Sequence, residues 1–173
     1  ESINMFNTSL KNPTDKNLAA LAQYWKGEAQ YRLLAFDDAI TSYNQFLYEG
    51  GGSSTPYYTL ANYNLGYSYF KKEDYSNAQK QFRDYIAAKP SDKNRYDDAT
   101  LRLADAHFML KNYSDAIHYY DMAIDNNAKS KDYALYEKSV LLGIQNKGSD
   151  KMTALKTILS GSPKSAYYDD ALY

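Results

Sequence analysis

Several things are scarce in this chain, and each scarcity removes a class of function. It has no cysteine, which excludes disulfides, thiolate nucleophiles and cysteine-type zinc sites, and leaves the compartment open. Its only two histidines, His107 and His118, have Asp105 and Asp115 nearby in sequence. A structural metal site needs about four converging ligands, so neither a metal nor any other cofactor is expected. Neither sign of charge dominates: 20 Lys and Arg stand against 21 Asp and Glu, a formal charge of −1. That balance gives no electrostatic case for nucleic acid or an anionic membrane. No apolar run approaches the roughly 20 residues of a membrane span, so direct insertion of this segment is not expected. The first residues lack the charged-then-apolar pattern of a signal peptide. Both ends fall inside helical pattern, and the chain is expected to be a fragment of a longer protein, with any signal or anchor outside it. Oligomeric state is not legible.

What is abundant is tyrosine, 20 of 173 residues, arranged in a repeating register. Aligning Ala39, Ala78 and Ala116, which are 39 and 38 residues apart, brings their surroundings into line. Twelve positions earlier stand Gly27, Gly66 and Ala104; three earlier, Phe36, Tyr75 and Tyr113; four later, Tyr43, Phe82 and Tyr120; eight later, Leu47, Ile86 and Ile124. A joint small–aromatic–small–aromatic register of this kind predicts two antiparallel helices per unit, each unit burying its face on the next.

The helices are expected near 16–33 and 36–48, 56–72 and 75–88, 95–111 and 113–126, and 131–146 and 150–160. Ser2-Ile3, Phe6 and Leu10 repeat the spacing of a second helix, so a half-unit opens the chain before Pro13-Thr14-Asp15 breaks it. Glu49 to Ser54, with Gly50-Gly51-Gly52, reads as the flexible loop. Thr55-Pro56 reads as an N-cap with proline at the first helical position, Ser149 as another N-cap, and Pro90 and Pro163 as stops. Tyr168-Asp169-Asp170-Ala171 repeats Tyr96-Asp97-Asp98-Ala99 and opens a further unit. The divisions are then a half-repeat at 1–13, repeats at about 16–50, 55–91, 94–130 and 131–164, and the start of another at 165–173, all within one solenoid over 1–173.

Asn64-Leu65-Gly66-Tyr67-Ser68-Tyr69, followed by Asp74-Tyr75-Ser76-Asn77-Ala78 and Pro90, resembles the consensus of the tetratricopeptide repeat family. The resemblance covers essentially the whole chain. It implies an all-α, right-handed superhelix of antiparallel helix pairs. Gly66 and Ala78 are then small because paired helices cross closely, while Tyr75, Phe82 and Ile86 fill the space between one pair and the next. Tyr43, Tyr69, Tyr75, Tyr113 and Tyr120 are expected in the core. The fourth unit departs, with Lys151 at the small slot and Gly148 at the aromatic slot, although Leu155, Leu159 and Pro163 fit. Tyr24-Trp25-Lys26-Gly27-Glu28-Ala29 and Pro163-Lys164-Ser165-Ala166-Tyr167-Tyr168-Asp169-Asp170-Ala171-Leu172-Tyr173 also resemble repeats of bacterial envelope proteins, the Tol–Pal accessory protein and the outer-membrane assembly lipoproteins. That narrower likeness implies a periplasmic, outer-membrane-associated scaffold.

The family resemblance places the concave face on the first helix of each pair. On this chain that face comprises Tyr24, Glu28, Tyr31 and Arg32; Tyr63, Tyr67, Phe70 and Lys71; Leu101, Asp105, Phe108 and Met109; and Tyr136 and Val140. Helical geometry agrees, since Tyr63, Tyr67 and Phe70 lie at i, i+4 and i+7. Tyrosine suits recognition because it offers contact area and a polar tip at low entropic cost; the alternative is that these rings only pad a narrow superhelix.

The adjacent aspartates Asp37-Asp38, Asp97-Asp98 and Asp169-Asp170 are expected to open helices, where negative charge meets exposed N–H groups. Neighbours on a helix do not face one substrate, so no catalytic residues are assigned and no enzyme is expected. Asn7-Thr8-Ser9 and Asn112-Tyr113-Ser114 satisfy the glycosylation sequon and read as chance. The expected function is a non-catalytic scaffold that holds a peptide or partner protein in its groove within a bacterial cell-envelope assembly. The alternative is a recognition arm of a larger envelope enzyme or sugar-handling complex, with a tyrosine-lined carbohydrate groove.

Overall fold

The computed structural model describes residues 2–11, 15–48, 51–126, 128–161 and 164–172. Among these residues regular structure is helical, with no strand. The elements are α1 (Ser2–Lys11), α2 (Lys16–Arg32), α3 (Phe36–Tyr48), α4 (Tyr58–Lys71), α5 (Tyr75–Ala87), α6 (Lys93–Met109), α7 (Tyr113–Asp125), α8 (Lys131–Ile144), α9 (Gly148–Gly161) and α10 (Tyr168–Ala171). The chain divides into two compact units, Glu1–Pro90 and Ser91–Tyr173.

In the first unit α2 packs on α3 and α4 on α5, α3 also packs against α4, and α1 lies on α2. Asp15 caps α2, its carboxylate accepting from the backbone N–H of Asn17 at 2.7 Å. The break expected at Pro13-Thr14 lies outside the described residues. The core gathers Ala20, Tyr24, Ala39, Tyr43, Phe46, Leu47, Ala61 and Leu65. A Cβ on Gly66 would meet Phe82 Cε1 at 2.9 Å, and one on Gly27 would meet Tyr43 Cε1 at 2.9 Å. Each glycine is therefore small because a ring of its own pair lies on it. Phe82, expected between pairs, instead packs inside one. Tyr43 is fully buried, while Tyr69 and Tyr75, also expected in the core, are only half-buried.

The glycine-rich segment differs from its expectation. Residues 52–54 form a 3₁₀ turn, and Gly52 is buried with Phe46 O where a Cβ would stand. Close approach to α3, and not flexibility, explains this glycine; Glu49 and Gly50 lie outside the described residues. Thr55 does not cap α4. Its hydroxyl donates to Gly52 O at 2.7 Å, and the helix begins only at Tyr58.

In the second unit α6 packs on α7, α7 on α8, α8 on α9, and α10 on α9. One core cluster includes Leu101, Ala104, Ala116, Tyr120, Ala123 and Leu141. Another joins Leu135, Ala154, Leu155, Ile158 and Ala171. Tyr120 is fully buried, whereas Tyr113 is half-buried. Helix α9 starts at Gly148, so Ser149 lies inside it and is not its cap. Asp97 and Asp98 do not open α6 either. Asp92 caps it, accepting from Arg95 N at 3.1 Å, and Asp97 is buried one turn later against Lys93 Nζ at 3.0 Å. Pro163 lies outside the described residues.

All four turns inside helix pairs share one construction. Leu34, Glu73, Lys111 and Asn146 have φ of 61°, 59°, 61° and 58°. The following amides donate back five residues, from Ala35 to Gln30 O, Asp74 to Tyr69 O, Asn112 to His107 O and Lys147 to Leu142 O. These bonds close Schellman turns without a glycine among them.

Candidate functional site

The face assigned to the first helices divides once side chains are placed. In the first unit, Glu28, Tyr31 and Arg32 of α2 and Tyr63, Asn64 and Tyr67 of α4 line a cleft of about 330 Å³. Five of these six were expected from the sequence. Asn64 was not, because its neighbour Tyr63 carried the periodic signal and a polar residue beside it carried none.

Glu28 is the acidic group of the cleft, and its Oε1 is occupied. The Tyr43 hydroxyl donates to it, as does Asn64 Nδ2. Asn64 Nδ2 also lies 3.2 Å from the Tyr24 hydroxyl oxygen. Burial, then the hydrogen bond to Glu28, pushes the Tyr43 hydroxyl far above its ordinary range, so it stays a donor. This carboxylate ties α2 to α3 and to α4.

The tyrosines do two jobs. Tyr63 and Tyr67 meet edge to face, with centroids 5.1 Å apart at 67°, and Tyr67 stands edge-on to Phe82 at 5.3 Å. Tyr63 also touches Tyr85 at 5.1 Å. Their inner sides therefore pack the pair while their outer sides form the cleft. Tyr31 stands edge-on to Phe36 at 5.4 Å. Phe70 packs on Tyr75 and Phe82 and is half-buried, with Lys71 exposed beside it. Arg32 is exposed at the rim.

Three residues assigned to the face are buried instead. Tyr24 is 2% exposed because it stacks on Tyr57 at 4.7 Å. Leu101 belongs to the core of the second unit. Asp105, 6% exposed, accepts from the Tyr120 hydroxyl at 2.6 Å and the Tyr133 hydroxyl at 2.8 Å. Arg102 Nη1 lies 2.6 Å from its other oxygen. Burial raises the pKa of Asp105, opposed by Arg102 and the two hydroxyls. Of the remaining assignments, Phe108 packs on Tyr113, Tyr136 stacks on Tyr167 at 5.2 Å, Val140 is half-buried and Met109 is exposed.

The second unit has its own polar cleft of about 400 Å³, lined by Arg102, Lys129, Ser130, Asp132, Tyr133, Ser165, Ala166 and Tyr167. Arg102 lies over the Tyr133 ring, 5.5 Å from its centroid. The register did not mark these residues, because Tyr133 sits outside the aligned slots and Tyr167 precedes a helix. Among the described residues no group of three or more His, Cys, Asp or Glu could hold a metal ion. No helix among them is long and apolar enough to cross a membrane.

Comparison with known proteins agrees with this geometry. Two tetratricopeptide repeat family models match, at residues 63–131 and 21–49, together more than half of the chain. No curated protein sequence matches. Among solved structures, MamA 41-end from Desulfovibrio magneticus RS-1 is similar at 17% identity and TM-score 0.72, over 94% of this chain and 86% of that one. YrrB, a TPR protein with an unusual peptide-binding site, is 19% identical with TM-score 0.71, over 99% of this chain and 80% of that one. The C-terminal part of a TPR repeat-containing protein from Cytophaga hutchinsonii is 19% identical with TM-score 0.74, over 99% and 66%. At such identities the structures attest the fold, and with the family matches the conclusion is plain: the chain belongs to the tetratricopeptide repeat family.

Proposed function

We propose that this chain is a non-catalytic protein-interaction scaffold that holds an extended peptide segment in the cleft between α2 and α4. The observation that carries this reading is the gathering of Tyr31, Tyr63, Tyr67, Arg32 and Asn64 around about 330 Å³, on helices whose inner faces are locked by packing. Rigid aromatic walls with a few polar groups suit peptide recognition. The edge-to-face setting of Tyr63 and Tyr67 supports peptide over sugar, since a sugar ring calls for an open, flat aromatic face. The peptide-binding site of YrrB, a TPR protein of this fold, points the same way. The motif resemblance to envelope repeats supports a place in a periplasmic, outer-membrane-associated assembly.

Peptides selected by display on the intact chain test the cleft. Tyr31→Ala and Tyr63→Ala should each weaken the selected peptides about tenfold or more, as hot-spot aromatics do, while Met109→Ala leaves them unchanged. Selected peptides that bind both tyrosine variants as well as the intact chain would place the site elsewhere.

A further inference from the structure

We propose that the groove between α7 and α9, floored by α8, is a second docking site. It takes a tyrosine side chain of a partner protein, with an acid and a base flanking that tyrosine in sequence. The groove encloses about 390 Å³ within the second unit and shares no residue with the first-unit cleft. Its apolar part is Ile117 of α7, Leu135 and Leu142 of α8 and Ala154 of α9, the last three buried.

The repeat register explains why this hollow is open. Where α8 has Leu142, α6 has His107 and α4 has Tyr69; where α9 has Thr153 and Ala154, α7 has His118 and Tyr119. In the third pair these rings fill the space. His107 stacks on Tyr119 with centroids 5.3 Å apart and planes at 18°, and His118 stands edge-on to Tyr119 at 5.1 Å. In the first unit Tyr69 is half-buried, and its hydroxyl accepts from Asn44 Nδ2 of α3 at 3.3 Å. The fourth pair thus has leucine, threonine and alanine where the third has three rings. It also lacks the ring pair at the turn: Tyr31–Phe36, Phe70–Tyr75 and Phe108–Tyr113 give way to Gly143 and Gly148. A Cβ on Gly148 would meet nothing within 4 Å. A hollow with a buried apolar floor forgoes dispersion contacts. The third pair shows the shape that restores them, a flat ring against the position of Leu142.

The polar groups around the hollow favour a phenol. Thr153 and Thr157 line it, and their hydroxyls donate to Ser149 O at 3.0 Å and Thr153 O at 2.9 Å. Each hydroxyl oxygen therefore remains an acceptor, which a tyrosine can satisfy and a phenylalanine cannot. Lys138 is answered by Asp121. Lys147 and Asp150 also line the groove, are exposed, and have no ion-pair partner among the described residues. Opposite charges beside one ring slot complement a segment that carries one acid and one base around its tyrosine.

Capped pentapeptides test this on the isotope-labelled intact chain by NMR titration: a central tyrosine between glycines, with Glu and Lys at the ends in either order. One order should shift the amides of Leu142, Ala154 and Thr157, and bind about tenfold tighter than its central-alanine version. A central phenylalanine should bind more weakly than tyrosine, and Thr153→Val with Thr157→Val should erase that difference. Lys147→Gln with Asp150→Asn should erase the advantage over a peptide with Gln at both ends. Ala154→Tyr, which supplies the ring of the third pair, should weaken binding about tenfold or more. Tyr63→Ala should leave it unchanged, so this site and the first-unit cleft stand or fall separately. Equal binding of the tyrosine and alanine peptides, or shifts confined to other helices, overturns the site, whether or not Ala154→Tyr folds. N-acetyltyrosinamide binding as tightly as the peptides overturns the partner segment in favour of a free phenol. Self-association in sedimentation that Ala154→Tyr abolishes overturns it in favour of a second copy of this chain.

Discussion

Tyr120 donates its hydroxyl to Asp105 Oδ1 at 2.6 Å, and the two residues are 15 positions apart. Tyr43 and Glu28 repeat the pairing at the same separation. In the second pair of helices the ring is Phe82, without a hydroxyl, and 15 positions earlier stands Tyr67, which turns a ring edge to it at 5.3 Å. The fourth pair has Val140 and Leu155 at these positions. A carboxylate occurs where the second helix carries a phenol, and an uncharged residue where it does not. A buried hydroxyl needs an acceptor, and a buried carboxylate needs donors.

This pairing is testable by exchange. Tyr120→Phe takes one donor from a buried carboxylate and should cost about 1–3 kcal/mol. Phe82→Tyr buries a hydroxyl against a ring and should cost a similar amount, part of which a second change, Tyr67→Glu, should recover. Urea midpoints of the single and double variants decide it; strictly additive losses for the second pair would show that the positions are not coupled.

Glycine position predicts opposite signs. Gly66→Ala drives a Cβ to 2.9 Å from Phe82 and should destabilise by about 1–3 kcal/mol. Gly143→Ala meets only the flexible Lys151 Cδ at 3.5 Å and should stabilise by up to about 1 kcal/mol through helix propensity. Thermal melts that move in the same direction for both would contradict this packing.

The turn at Leu34 should accept glycine. Leu34 has φ of 61° and is 72% exposed, so its side chain contributes little packing to offset the left-handed strain. Leu34→Gly should raise stability by up to about 1 kcal/mol. Asn146→Gly, where asparagine already tolerates this conformation, should change much less. A lower melting point for Leu34→Gly would mean that the leucine is held by contacts.

Asp105 should give the chain an unusual acid response. Its pKa is raised by burial, with Arg102 and two hydroxyls opposing. Glu137, half-buried nearby, is raised by burial and then by Asp105. The folded state therefore binds protons more readily than the unfolded one above the ordinary carboxylate range. By linkage, stability from this group rises as pH falls toward that range and is lost as pH climbs through the raised pKa, by at most about 1.4 kcal/mol per pH unit. Wild type should gain on Asp105→Asn as pH is lowered from neutral toward the ordinary carboxylate range, and Glu137→Gln isolates its neighbour's share. A gap in urea midpoint that stays constant with pH would refute the assignment.

The helix pairs were legible because a joint register of alanine, glycine and aromatic residues has one economical solution, two helices crossing closely. Helix α3 follows that register from Phe36 to Tyr48. Part of the candidate cleft was legible too, since i, i+4, i+7 spacing puts Tyr63, Tyr67 and Phe70 on one face. What periodicity could not rank was depth. Tyr24 and Tyr63 hold equivalent positions, yet Tyr57 covers the first, which is 2% exposed, and the second lines a cleft. Glu28 and Asp105 are likewise equivalent, but Tyr133 reaches only Asp105 and helps bury it. Local chemistry misled at Thr55 and Ser149, where cap-forming residues lie near helix starts set by packing. Sequence alone determined which residues share a face, because that follows from the period of the helix. Only tertiary structure decided which of them meet solvent, because that depends on what the next helix places over them.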